Sequence, residues 1–158
     1  MNYKSLWAII ALAAVALGLP LTSLAAADTS KVDLIMDRSA GGVEAIDFDG
    51  PTGYGFVNYN QDANGNMTVV VSLKNAEPDT TYEGVFWVCG PTHATACGFV
   101  DVGEISTNAR GNGNAVLHLA VETLQSSPFG SGSRTDHFDI LGPEGDVYAA
   151  TGINYLVP

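Results

Sequence analysis

MTVVVSLKNAEPDTTYEGVFWVCGPTHATAC, residues 67–97, is the stretch that decides the fold. Met67, Val69, Val71 and Leu73 alternate with Thr68, Val70 and Ser72. That period of two predicts a strand with one face on a core. Glu77-Pro78-Asp79-Thr80 predicts a turn, because proline pre-sets φ and aspartate bonds its local backbone. Tyr82 to Val88 reads as the next strand. Val85 and Trp87 share one face of it, and Phe86 and Val88 share the other. Apolar residues on both faces point to a central strand covered on both sides.

Working outward, the same alternation recurs at short intervals. Upstream, strands are expected at Lys31 to Met36, at Ala45 to Asp49 and at Gly53 to Tyr59. In the last of these, Tyr54 and Phe56 fall on one side and Val57 and Tyr59 on the other. Asp62-Ala63-Asn64-Gly65-Asn66 is a hairpin turn, since Asn-Gly accepts positive φ cheaply. Downstream, Phe99 to Thr107, Ala115 to Glu122, His137 to Leu141 and Asp146 to Ala150 read as strands. A Gly/Asn turn at 108–113 and a Gly-Pro-Glu-Gly turn at 142–145 separate them. Residues 124–135 read as loop, and Ile153 to Val157 as a closing edge strand. Seven to nine short strands without a long amphipathic helix predict an all-β, antiparallel β-sandwich.

Residues 1–27 are expected to lie outside that fold. Lys4 precedes an apolar run from Leu6 to Leu19, and Ala25-Ala26-Ala27 offers a small-residue cleavage site. This is the pattern of a secretory signal, short for a membrane span. Residues 28–158 then form a single domain. The chain has 6 Lys and Arg against 17 Asp and Glu, a formal net charge of −11. Such a surface repels nucleic-acid phosphates and anionic lipid. The expected location is therefore secreted, extracellular or cell-surface, with a periplasmic setting as the variant.

The turn carries a resemblance. Ala76-x-Pro78-x-Thr80-x-Tyr82 resembles the tyrosine corner of fibronectin type III and other immunoglobulin-like domains. The resemblance implies an immunoglobulin-like sandwich in which Pro78, Thr80 and Tyr82 form a structural corner. The Tyr82 hydroxyl would return to upstream backbone, since a buried tyrosine must satisfy its O–H. From Gly53 to Val121 the layout of corner, strand, Cys89, loop, Cys97, strand and Gly/Asn hairpin is also similar to that of the neocarzinostatin-like apoproteins. That similarity implies a carrier of a small apolar ligand.

Residues that carry chemistry are sparse. His93, His118 and His137 lack the spacing of paired metal ligands and read as separate surface histidines. Asp47 and Asp49, and Asp62 with its neighbouring asparagines, offer oxygens to calcium but equally suit ordinary turns. No Gly-x-Ser-x-Gly motif is present, so no catalytic residue, cofactor or resident metal is expected. Trp87, Tyr54, Phe56 and Tyr59 are the candidate ligand-binding aromatics. Asn66-Met67-Thr68 matches a glycosylation sequon. Cys89 and Cys97, the 2 cysteines of an exported chain, are expected to form a disulfide.

Three functions are consistent with this sequence. The first is an exported non-catalytic module with a binding or structural role in a matrix, surface or adhesion setting. It would join copies of itself or other surface proteins by strand addition, with the N-terminal strand as donor. The second is a carrier of a small apolar ligand, with its cleft near Trp87 and the Cys89–Cys97 loop. The third is a metal-dependent enzyme.

Overall fold

The computed structural model describes residues 29–37, 49–91, 97–126, 129–145 and 147–158. The leader expected at 1–27, Asp47, most of the strand expected at 45–49, and His93 lie outside them. Eight strands and one helix are described: β1 Thr29–Asp37, β2 Thr52–Gln61, β3 Met67–Leu73, β4 Thr81–Cys89, β5 Cys97–Ser106, β6 Gly113–Leu119, α1 Val121–Ser126, β7 Arg134–Leu141 and β8 Val147–Leu156. Every pairing is antiparallel. The fold is an all-β, sandwich-like one, as the alternation predicts.

The strands join in the order β5-β4-β7-β8-β1-β2-β3-β6. β1 pairs with β2 over Thr29–Asp33 and, past an irregularity, again at Ile35, and with β8 over Ile35–Asp37. It thus passes from one layer to the other. The layer of β2, β3 and β6 contributes Val57, Val69, Val71 and Leu117 to a common core. Phe86, Phe138, Ile140 and Ile105 of the other layer meet them. Gly84 shows how closely the layers approach: a Cβ there would lie 3.0 Å from Leu117 Cδ1 of the facing layer. The sheet's two end strands, β5 and β6, meet at one bridge, Thr107 with Gly113.

The corner at 76–80 is docked onto the turn between β5 and β6. The Glu77 N–H donates to the Tyr82 hydroxyl at 3.0 Å. The hydroxyl thus returns to upstream backbone, as the corner resemblance implies. Thr107 ties the two turns together, donating to the Glu77 carbonyl at 2.6 Å and accepting from the Thr80 N–H at 3.0 Å. Backbone bonds from Ala76 to Gly111 and from Asp79 to Asn108 complete the junction.

Two hairpin turns share one hydrogen-bond pattern. Asp62 Oδ1 accepts from the N–H groups of Asn64 and Asn66, and Asn108 Oδ1 accepts from those of Arg110 and Asn112. In each turn the glycine N–H, Gly65 or Gly111, bonds back to the carbonyl of that first residue. Both glycines have positive φ, which explains their place in the turn.

Three expectations are corrected. The strand expected at Ala115 to Glu122 ends at Leu119, and Val121–Ser126 forms a helix in place of strand and loop. Val121 and Leu124, three apart on that helix, are both buried, which holds one face of it on the core. The two strands expected after residue 145 are one strand, β8, irregular near positive-φ Gly152, paired on both sides at Val147–Ala149 and, among the described residues, with β7 at Tyr155 and Leu156. The N-terminal strand β1 is tied into the sheet, Thr29–Asp33 to β2 and Ile35–Asp37 to β8, so it is not a loose donor.

Candidate functional site

The sandwich has two outer faces, and they differ in kind. On the layer of β4, β7 and β8, the outward side chains of the central rungs are buried or half-buried. Trp87, His137 and Thr151 are cross-strand partners, as are Val85, Asp139 and Ala149. Ile35 and Asp37 extend the face onto β1. His137 is 5% exposed and Asp139 fully buried. The reading of His137 as a surface histidine is therefore wrong. Its alternation with Phe138, Asp139 and Ile140 marks a strand with both faces enclosed, and the polar pair occupies one of them.

His137 Nε2 lies 3.2 Å from Asp139 Oδ2, an ion-pair distance without the alignment of a full hydrogen bond. The Trp87 ring stacks on the imidazole at 14° with centroids 5.9 Å apart, and packs against Phe99 at 4.8 Å. Burial pushes the Asp139 carboxyl above the usual carboxylate range. The close approach of His137 opposes that shift, and Asp37 adds to it. A His–Asp pair of this kind orients an imidazole as a base, but such chemistry needs substrate access and a reacting group beside it. This pair is enclosed in the sheet.

The outer face of β2, β3 and β6 is open. Val70 of β3 and Val116 of β6 are cross-strand partners, 39% and 58% exposed. With Phe56 they line a shallow, mostly apolar groove of about 350 Å³. Asn58, Ser72 and Asn114 border it. Lys31 sits over the Phe56 ring at 4.4 Å, at ion-pair distance from Asp33. Thr68 and His118 share the next rung, with Thr68 Oγ1 3.2 Å from His118 Nδ1. The alternation of β3 and β6 does not by itself single out Val70 and Val116 as surface residues. The available signal was an apolar residue at the polar parity of each strand: Thr68-x-Val70-x-Ser72 and Asn114-x-Val116-x-His118.

The four candidate aromatics do not converge. Tyr59 is buried in the core. Tyr54 packs against that core and against Tyr148, with centroids 5.1 Å apart. Positive φ at Gly53 and Gly55 breaks the alternation that would have set Tyr54 beside Phe56. Phe56 belongs to the open face, and Trp87 to the covered one. Trp87 lines neither the open groove nor the two clefts beside the 142–145 turn, which measure about 400 and 440 Å³.

Those two clefts are acidic, one bordered by Glu77 and Glu144 and the other by Glu83, Asp101 and Glu104. Among the described residues no cluster of three or more metal-ligating side chains forms. Asp49 is exposed at a turn. Asp62 commits both carboxylate oxygens to its own turn, Oδ1 to the Asn64 and Asn66 N–H groups and Oδ2 to the Asn66 amide. These bonds hold its carboxyl below the ordinary range. The Asn66 side chain is committed as well, since its Oδ1 accepts the Val121 N–H at the start of α1. The disulfide is formed: Cys89 and Cys97 are register partners, with Cα atoms 4.1 Å apart. No protein-family model matches the chain, and no curated protein matches it.

Proposed function

We propose that this chain is an exported, non-catalytic β-sandwich module that acts by presenting its outer β2–β3–β6 face to a partner at the cell surface or in an extracellular matrix. The observation that carries this reading is the open apolar rung of Val70 and Val116 with Phe56 beside it. Exposed apolar groups gathered on one sheet face mark interaction sites. On the opposite outer face Val85, His137, Asp139 and Ala149 are buried, and the exposed Phe99 is already packed against Trp87. The leader-like first 27 residues and the disulfide support an oxidising, exported setting.

The test is fractionation of exporting cells carrying wild type or the double variant Val70→Thr, Val116→Thr. Threonine keeps the branched shape and β-propensity while removing apolar surface. The wild-type protein is expected in the envelope or matrix fraction, and the variant in the soluble fraction with its disulfide intact. Equal distribution of the two would refute this reading.

A further inference from the structure

The two strands that end the sheet are guarded differently. β5 exposes Asp101 and Glu104, carboxylates that repel a strand from another acidic chain. β6, Gly113–Leu119, contains no charged residue and no proline. All seven of its residues pair with β3 on one side. On the other side, among the described residues, its pairing is the single bridge from Gly113 to Thr107. From Asn114 onward that edge is an open ladder, the template for strand addition.

We propose that a second copy of this chain adds to that edge, β6 against β6, antiparallel and centred on Val116. This inference rests on the reading of the open face as a binding surface and names its partner. The strand is self-complementary in this register. Val116 faces the partner's Val116, Asn114 faces the partner's His118, and Ala115 faces the partner's Leu117. The exposed residues Asn114, Val116 and His118 therefore match an amide with an imidazole at both ends and valine with valine at the centre. The rung Asn58–Val70–Val116 continues into the same rung of the partner. The sheet edge becomes a shared interior, and the apolar stripe becomes continuous across it.

Charge favours the same place. Two chains of net charge −11 repel, so a stable contact falls where neither brings a carboxylate. β6 meets that condition and β5 does not. The association consequently strengthens with salt, as screening weakens the long-range repulsion. A contact built on ion pairs would respond in the opposite sense.

The test is a register-specific cross-link. Both native cysteines are bridged, so Val116→Cys introduces the one free thiol among the described residues. Ala109→Cys, exposed in the turn that precedes β6 and outside the proposed pairing, is the control. Under mild oxidation Val116→Cys is expected to form a disulfide-linked dimer about tenfold or more faster than the control, because association raises the effective thiol concentration. Light scattering of wild type is expected to show a dimer that Val116→Lys converts to a folded monomer. Cross-linking no faster than the control, or a wild type that stays monomeric into the millimolar range, overturns the inference. If wild type is monomeric but the Val70→Thr, Val116→Thr variant still leaves the envelope fraction, the face binds a different molecule. Self-docking then falls while the binding reading stands. If the variant's location also stays unchanged, both fall.

Discussion

At the residue scale, single atoms decide the corner and the buried pair. Gly111 has φ +70°, and a Cβ there would lie 1.9 Å from the Ala76 carbonyl oxygen. Gly111→Ala is expected to cost about 2–4 kcal/mol in urea unfolding, from the left-handed backbone and the displaced junction together. Asp139 yields a pH prediction. Its carboxyl is raised in the fold by burial, then by Asp37, against the pull of His137. A raised carboxyl contributes stability that is full below the unfolded value of 3.8 and is lost as pH rises through the folded value. Asp139→Asn removes that loss. Unfolding curves at acid and neutral pH are expected to show the variant gaining on wild type as pH rises. A loss that grows towards neutral pH would instead mean that the ion pair with His137 outweighs its desolvation.

At the element scale, local signals were legible and non-local ones were not. The alternation in Met67–Leu73 and the Gly/Asn turns predict β3 and its hairpins, because a strand's burial pattern repeats every two residues. Strand order has no such local signature. β1 was readable as a strand, yet nothing in Thr29–Asp37 announces that it joins both layers. The helix α1 is only six residues long, too short for a periodic pattern, and its first N–H is met by Asn66, 55 positions earlier. At the candidate site the strands were legible, while the open groove depends on which residues neighbour one another across β2, β3 and β6. The disulfide was legible because only two cysteines can pair. It closes the β4–β5 hairpin at its register end. Cys89→Ser is expected to lower stability by roughly 2.6 kcal/mol in a chain-entropy treatment, visible as a lower melting temperature. The open face on β3 and β6 is expected to keep its binding, since it lies on the other layer.

At the scale of the whole molecule, β5 and β6 are the two strands with a sheet neighbour on one side only. β4, β7, β8, β1, β2 and β3 each have neighbours on both sides. β5 and β6 meet at one bridge, and acid protects only the first of them. The account's central claim is that the β6 edge and the open face beside it are the working surface, carried on a closed scaffold. The most direct measurement is residue-resolved amide hydrogen exchange on the purified protein across a wide concentration range. The account predicts slow exchange in β1, β4, β7 and β8 at every concentration. It predicts fast exchange at the outward amides of Asn114–Leu119 in dilute protein, slowing as concentration rises. Equal protection of β6 and the interior strands in dilute protein, unchanged by concentration, would contradict it.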